Sequence, residues 1–244
     1  MAFHHSPRIV TDSLVAHWDA ADKNSFTSGS TTWNDLSGNG NNATLSSGTM
    51  GTVSGSNAIA LDGANDYLIS TPSGLNHTGN FTFDIWFKFR AGDSVGGGAH
   101  IIGGSALGDG DLRASNGFAV NLTVDGSGNL KVHSFNGGGG GTDLDTGFNI
   151  TAGEVAHVGY IHNSGVSKAG FKNGDVMSPN TRWGTQNFTY TVLGGDIDDA
   201  TSGNYITRMA HPKITYYAVR IYNRVLSTAE VSQNFNAQRS RFGV

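Results

Sequence analysis

The chain has 244 residues and a formal net charge of −4 at pH 7. Its basic residues are scattered along the sequence, which argues against a nucleic-acid partner because such proteins gather lysine and arginine on one face. No apolar stretch approaches the roughly 18 residues needed to span a bilayer, so no membrane partner is expected.

Glycine accounts for 36 of the 244 residues, about twice its usual share of roughly 7%. The glycines show no three-residue period, and short apolar segments lie between them, which indicates a turn-rich all-β protein. The chain has no cysteine, so its fold depends on core burial without disulfides. The N-terminal segment lacks the charged and apolar regions of a signal peptide, and synthesis in a cytoplasm is therefore expected.

The chain begins with a segment, residues 1–12, that is predicted to be an extended N-terminal arm, because Pro7 disfavours a helix at the residue before it. A first strand is predicted at Leu14–Trp18. The polar segment WNDLSGNGNNAT, residues 33–44, is predicted to be a tightly folded loop, since glycine and asparagine tolerate positive φ. Trp33 is expected to fasten this loop to the body of the protein.

The clearest strand is FTFDIWFKFR, residues 81–90. Its apolar residues recur at every second position, the period of a strand with one apolar face. Gly137–Gly141 is predicted to be a flexible loop, and Asn173-Gly174 to be the type I′ turn of a hairpin. With the closing strand, about a dozen short strands separated by turn signals are expected. The remaining strands are predicted at residues 58–61, 67–69, 100–102, 118–124, 130–135, 148–150, 155–161, 168–172, 188–193 and 205–209.

The closing stretch of the chain predicts a strand followed by a helix. Residues 214–222 are apolar on both faces, which is typical of a central strand covered on both sides. Ser227 and Glu230 form a capping-box pattern, in which each side chain satisfies a free backbone N–H at the start of a helix. The helix is expected to run to about Arg239.

These elements predict an all-β fold, a two-sheet antiparallel β-sandwich with an N-terminal arm and one C-terminal helix. LVAHWDAAD, WNDLSGNGNNAT, LDGANDYL, FTFDIWFKF, GFKNGDVM and the closing stretch occur in an order that resembles the laminin-G-like, concanavalin A-like jelly-roll domains. The resemblance covers most of the chain and implies one domain over residues 13–244, preceded by the arm at residues 1–12.

A second resemblance concerns the opening HSPRIVTDSLV, which is similar to structural proteins of tailed bacteriophages. It implies a virion component, either a capsid decoration protein or part of a tail or fibre. The implied partners are other virion proteins and further copies of the chain, contacted through the arm. The implied location is the virion, assembled in the host cytoplasm.

Enzyme activity is not expected, although the resemblance leaves a glycoside hydrolase as a remote alternative. Retaining hydrolysis needs two carboxylates about 5–5.5 Å apart, one of them with a raised pKa. The chain has two glutamates, Glu154 and Glu230. Glu230 is assigned to the helix cap and Glu154 stands alone, so no catalytic pair is expected.

No cofactor is required by this interpretation, but calcium is a candidate because glycine-rich loops carry hard oxygen ligands. The alternative is that these aspartates and asparagines form Asx-turns. The candidate calcium ligands are Asp35, Asn39, Asp62, Asp66, Asp196 and Asp198.

Sugar binding is the main alternative to a purely structural role, as in a carbohydrate-binding module or adhesin. Lectin-like sites stack an aromatic ring on the sugar and add polar donors from nearby loops. The candidate residues are Trp183, Tyr205, Asn204 and Trp33. The alternative is that the aromatic residues pack in the core, which is the expected role of Trp18 and Trp86.

Overall fold

The computed structural model describes residues 7–45, 51–52, 58–61, 66–71, 73–74, 79–89, 99–105, 119–136, 140–181, 190–194 and 213–244. These residues form sixteen strands and one helix. The strands are β1 (Leu14–Asp19), β2 (Thr32–Trp33), β3 (Ala43–Leu45), β4 (Gly51–Thr52), β5 (Ile59–Ala60), β6 (Leu68–Ser70), β7 (Phe81–Phe89), β8 (Ala99–Ser105), β9 (Ala119–Val124), β10 (Asn129–Asn136), β11 (Gly140–Asn149), β12 (Val155–Asn163), β13 (Ser167–Lys172), β14 (Asp175–Val176), β15 (Tyr190–Leu193) and β16 (Ile214–Tyr222), and the helix is α1 (Thr228–Phe242).

The strands form two eight-stranded sheets with antiparallel pairing throughout. Sheet A has the order β14-β13-β12-β7-β16-β5-β4, with β1 also paired to β16. Sheet B has the order β11-β10-β9-β8-β15-β6-β3-β2. The predicted two-sheet antiparallel β-sandwich is therefore confirmed.

The inner faces of the two sheets form the main core. On β7, Phe81, Phe83 and Ile85 lie in this core with exposed fractions of 1% or less, which confirms the alternation predicted from the sequence. The sheets approach closely where Gly170 faces Thr146, because a Cβ added to Gly170 would lie 2.5 Å from the Thr146 Cγ2. Glycine is needed at this position for the layers to pack.

The closing strand β16 is central, as predicted. β7 pairs with one of its edges while β1 and β5 share the other, and all nine of its residues are buried. The capping box is also confirmed, since the Ser227 hydroxyl accepts from the Glu230 N–H and the Glu230 carboxylate accepts from the Ser227 N–H. The helix ends at Phe242, three residues beyond the predicted end, and the left-handed Gly243 (φ 69°) follows it.

The described part of the predicted N-terminal arm packs on the domain itself. The Val10 N–H donates to the Asn234 Oδ1 at 2.8 Å, and the Val10 carbonyl accepts from the Tyr222 hydroxyl at 3.0 Å. The Arg8 carbonyl accepts from the Gln233 side chain at 2.8 Å. Residues 8–12 therefore differ from the predicted arm, because the buried Val10 joins a small core with the helix. The domain boundary after residue 12 stays a prediction.

The predictions for two glycine-containing segments have different outcomes. Asn173 and Gly174 both have positive φ, 51° and 90°, which confirms the hairpin turn between β13 and β14. The predicted loop at Gly137–Gly141 is wrong for its last two residues, since β11 begins at Gly140 and pairs with β10 from there. Ladder hydrogen bonds from β10 outweigh the low strand propensity of glycine. The strand predicted at 205–209 lies outside the described residues.

Within the described ranges, no helix is long and apolar enough to cross a membrane.

Candidate functional site

Several strand termini of sheet B meet at one end of the sandwich, which we call the loop end. There Ser105 pairs with both Ala119 and Tyr190, and Asn136 pairs with Gly140. The chain segments that adjoin these strand ends are 106–118, 137–139 and 182–189. They lie outside the described residues.

Sheet A contributes the β12–β13 hairpin to the same end. The Lys172 Nζ donates to the Asn149 carbonyl at 2.5 Å, which places the end of β13 beside the end of β11. Gly170 faces Thr146, further back along β11. The start of β13 and the hairpin turn at 164–166 therefore lie toward the loop end, above the terminus where β11 begins.

Two residues on the inner face of this hairpin are polar and buried. Lys168 and His162 are register partners on β13 and β12, with exposed fractions of 2% and 0%. The His162 ring stacks on Phe81 at a centroid distance of 4.8 Å, and its Nδ1 lies 3.2 Å from the Tyr160 hydroxyl. We call Lys168 and His162 the donor pair.

The donor pair carries one positive charge at neutral pH. Burial lowers the pKa of Lys168 to about 8, so its ammonium is still protonated at pH 7. Burial, with the charge of Lys168 beside it, lowers the pKa of His162 to about 4, so its imidazole is neutral. Neither the Lys168 Nζ nor the His162 Nε2 has a hydrogen-bond partner among the described residues.

The loop at 34–42 covers the free edge of β1. The Asp35 Oδ1 accepts from the His17 N–H at 2.8 Å, and the Asn39 Nδ2 donates to the Leu14 and Val15 carbonyls at 3.0 Å. These side chains satisfy backbone groups that an edge strand would otherwise expose. The loop is thus tightly folded, as predicted.

Asn41 is the residue that the sequence reasoning missed in this loop. It is 5% exposed, and its Nδ2 donates to the Val15 carbonyl at 2.8 Å and the Ser73 carbonyl at 3.1 Å. Its own carbonyl accepts from the Trp18 indole at 2.9 Å. No signal in the sequence separates Asn41 from Asn39 and its other polar neighbours.

Three of the six calcium candidates can be placed in the structure. Asp35 and Asn39 come together, because both bond to the Ser37 hydroxyl, whereas Asp66 lies just before β6. Asp35 also accepts from the Ser37 N–H at 2.8 Å, the geometry of an Asx-turn. No group of three or more His, Cys, Asp or Glu side chains that would hold a metal ion occurs in the described part of the chain.

The other calcium candidates, Asp62, Asp196 and Asp198, lie outside the described residues. Calcium binding therefore stays a prediction.

The sugar-binding candidates divide in the same way. Trp33 is fully buried, and its ring lies 6.1 Å from that of Trp18. It confirms the expectation that it fastens the loop, but in this position it has no ring face for a sugar, so its assignment as a ligand contact is corrected. Trp183, Asn204 and Tyr205 lie outside the described residues.

The segments that carry these three candidates begin at different places. Trp183 belongs to the segment that precedes Tyr190, at the loop end. Asn204 and Tyr205 belong to the segment that follows Gly194, beyond the opposite end of β15. The chain therefore connects the two segments to opposite ends of β15.

A second buried polar cluster lies under the helix, on the outer face of sheet A. We call Asp84, His157, Arg220 and Asn234 the helix anchor. Asp84 Oδ1 lies 3.1 Å from the His157 Nε2 and 3.6 Å from the Arg220 Nε, and Asp84 Oδ2 accepts from the Asn234 Nδ2 at 2.8 Å. All four residues have exposed fractions of 0%.

The helix anchor fastens the helix and is closed to a substrate. Burial alone would raise the pKa of Asp84, but Arg220 and His157 beside it hold that pKa well below its usual range. Asn234 adds a bond from the helix to the Tyr222 hydroxyl at 3.0 Å. Because these groups lie between sheet A and α1 and contact one another, the Asp–His contact is engaged within the protein.

Both glutamates of the chain are engaged in ion pairs. Glu154 lies 2.6 Å from the Lys172 Nζ, and Glu230 lies 2.7 Å from the Arg224 guanidinium. The bonds from Arg224 and from the Ser227 backbone lower the pKa of Glu230 to about 2. A general acid for glycoside hydrolysis needs a raised pKa instead.

One family profile matches the sequence. It is described as the concanavalin A-like lectin/glucanases superfamily, and it matches residues 62–232, more than half of the chain. A comparison with curated protein sequences found no match.

Solved structures with the same fold include three proteins described in complex with sugars. The Trypanosoma rangeli sialidase in complex with sialic acid has a TM-score of 0.67 and 13% identity, over 95% of this chain and 34% of that one. Domain 4 of AbnA, a GH43 extracellular arabinanase from Geobacillus stearothermophilus, in complex with arabinotriose, has a TM-score of 0.66 and 17% identity, over 94% and 99%.

The third is the binding domain of botulinum neurotoxin DC in complex with SialylT, with a TM-score of 0.66 and 14% identity, over 93% and 52%. This chain thus spans about a third of the sialidase chain and half of the neurotoxin domain, but nearly all of the arabinanase domain. At these identities, the likenesses show a shared fold.

Proposed function

We propose that this chain, which belongs to the concanavalin A-like lectin/glucanases superfamily, is a non-enzymatic glycan-binding domain. The observation that carries the proposal is the end-to-end match with arabinanase domain 4, over 94% of this chain and 99% of that domain, in a structure that contains arabinotriose. A fold does not by itself define a function, so the proposal needs support from the chain's own residues.

The two glutamates and the buried Asp84 support binding over hydrolysis. Glu154 and Glu230 are held in ion pairs, and Asp84 is buried under the helix. A glycosidase needs two carboxyl groups that flank an accessible glycosidic bond. None of these three acids meets that requirement, which favours a domain that holds a sugar without cleaving it.

The loop end is the proposed location of the sugar. Three segments adjoin the strands there, and one of them contains Trp183, the aromatic residue predicted to stack on a sugar ring. Tyr205 and Asn204 stay candidates for further sugar contacts. Calcium is not required by this proposal.

The experiment is a glycan array followed by calorimetry with the purified chain. Trp183→Ala should weaken binding to the best glycan at least tenfold, about 1.4 kcal/mol, because it removes the stacking face. Trp183→Phe is the matched control, since it keeps an aromatic face for the sugar, and it should retain most of the affinity. A folded protein that binds no glycan on the array would overturn the proposal.

We further propose that the domain is carried on a bacteriophage virion, on the strength of the opening HSPRIVTDSLV. Mass spectrometry of purified particles tests this: hundreds of copies would indicate capsid decoration, a few copies would indicate a tail or fibre, and absence would overturn the proposal. Contacts with neighbouring subunits are assigned to residues 1–7, because residues 8–12 pack on the domain. Deleting residues 2–7 should reduce incorporation into particles without unfolding the protein.

A further inference from the structure

The donor pair has hydrogen-bonding capacity that the described residues leave unused. The Lys168 ammonium carries three donors, and its Nζ is buried without a partner in the described part of the chain. Lysine is almost never fully buried unless it is paired, because an uncompensated charge away from water is costly. This burial indicates that an acceptor from elsewhere belongs beside Lys168.

His162 adds a second unused donor. Its neutral imidazole has Nδ1 beside the Tyr160 hydroxyl at 3.2 Å. We infer that the hydroxyl donates to Nδ1, which places the ring hydrogen on Nε2, an atom that is buried without a partner among the described residues. The pair then presents an ammonium and a ring N–H from register partners on adjacent strands.

The described surroundings of the pair supply no negative charge. On its own sheet, His162 faces Tyr160 and Phe81. Across the sandwich, the strand that Lys168 belongs to faces Thr146, whose hydroxyl already donates to the Leu130 carbonyl at 2.6 Å. No described carboxylate forms an ion pair with Lys168, so the acceptor is not provided by this part of the chain.

The position of the pair relates it to the proposed sugar site. Only one register pair, Asn163 with Ser167, separates it from the hairpin turn, where Val166 is 57% exposed. Lys168 also exchanges two backbone hydrogen bonds of 2.9 Å with Asn180. The segment 182–189, which contains Trp183, begins two residues after Asn180 in the sequence.

We propose that Lys168 and His162 form an anion-recognition subsite that takes the carboxylate of an acidic sugar, a uronic or sialic acid residue of the bound glycan. The proposal rests on the glycan-binding function above. One ammonium and one neutral N–H match a monoanion with two acceptor oxygens, because a carboxylate accepts a charge-assisted bond from the ammonium and a second bond from the ring. The subsite would distinguish acidic glycans from their neutral counterparts.

The test compares matched pairs of probes by calorimetry: 3′-sialyllactose against lactose, and trigalacturonic acid against its methyl ester. The wild type should bind the acidic member of at least one pair ten or more times tighter. Lys168→Met should abolish that preference and leave the affinity for the neutral member unchanged. Lys23→Met, which removes the same charge from an exposed position, should keep the preference.

The outcomes separate the two proposals. Binding of neutral and acidic members with equal affinity, or an undiminished preference in Lys168→Met, would overturn the subsite while glycan binding stands. Binding of no probe and no arrayed glycan would overturn both. If Lys168→Met does not fold, the imidazole ¹H–¹⁵N signals of His162 in the wild type decide the matter: they should shift with the acidic probe only, and equal shifts with both would refute the subsite.

Discussion

The substitution Asp84→Asn tests whether the helix anchor holds the C-terminal helix on the sandwich. The new side chain has nearly the same shape, but the change removes the negative charge and replaces one acceptor oxygen with an NH2 donor. Asp84 Oδ1 lies 3.1 Å from the His157 ring and 3.6 Å from the Arg220 guanidinium, and its Oδ2 accepts from Asn234. After the substitution, the fully buried Arg220 would have no counter-charge among the described residues.

The expected loss follows from that stranded charge. Removing one partner of a buried ion pair typically costs about 3–5 kcal/mol. For a chain of this size, 1 kcal/mol corresponds to roughly 2–4 °C, so the Tm should fall by about 10 °C. Because the pKa of Asp84 is lowered in the folded state, the stabilisation that it provides decreases in acid. Its contribution is complete above the unfolded pKa of about 3.9 and is lost as the pH falls further, so wild type and variant should converge in acid.

Urea unfolding at pH 7, followed by tryptophan fluorescence, measures the effect. Asp175→Asn is the matched control, because Asp175 is exposed on β14, and it should change the free energy of unfolding by less than about 0.5 kcal/mol. Adding Arg220→Met to Asp84→Asn should restore part of the loss, because it removes the unpaired guanidinium. The reasoning is refuted if Asp84→Asn lies within about 1 kcal/mol of the wild type.

Four further substitutions test other parts of the fold by thermal and urea denaturation. Gly159→Ala should prevent stable folding, because its Cβ would lie 2.1 Å from the Phe83 carbonyl oxygen, whereas Gly165→Ala, in open space at φ 70°, should cost only about 1 kcal/mol. Ser227→Ala should cost about 1 kcal/mol by removing the helix cap; no loss would contradict the capping role. The pKa of His162 is about 4 in the folded protein against an ordinary 6.5, so as the pH falls the imidazole is protonated in the unfolded state before it is protonated in the folded state. His162 should therefore contribute a loss of up to roughly 3 kcal/mol between pH 6.5 and pH 4, and His162→Gln should lose that much less than the wild type; parallel losses would contradict this.

The elements that the sequence predicted well are those in which apolar residues recur with a regular period. On β7 every second residue is a large apolar one, and β16 is apolar on both faces, so each strand and its central place could be predicted. The capping box needs only Ser227 and Glu230, three residues apart, and it formed as expected. These features depend on neighbours in sequence, which the pattern contains.

The other face of β7 was less predictable. Trp86 is fully buried, as predicted, but Asp84 alternates with the phenylalanines as on a strand with one polar face and is fully buried as well. They are buried because α1 covers that face. Asn234 of the helix donates to Asp84, and the ring centroid of Phe242 lies 4.3 Å from that of Trp86. No local pattern shows which face a helix 150 residues later will cover.

The candidate site depended on the tertiary structure even more. Trp33 was predicted both to fasten its loop and to contact a sugar, and its burial is compatible only with the first role. Asp35 and Asn39 have the right atoms for calcium, but their placement beside the open edge of β1 directs them to backbone groups. The sequence shows which chemical groups are present, whereas the position of the neighbouring strand determines their hydrogen-bond partners.

By itself, the sequence determined an all-β sandwich with a central closing strand and one capped helix, because periodicity, turn residues and caps act over short distances. Only the tertiary structure decided that residues 8–12 pack against the helix and β16, that Asp84 on the outer face of β7 is buried, and that Lys168 lies beside His162 without a carboxylate from the described residues. Those results depend on contacts between sheets and across long separations in the chain. Whether a side chain is buried, and whether an opposite charge lies beside it, depends on such contacts and is therefore decided only in the folded chain.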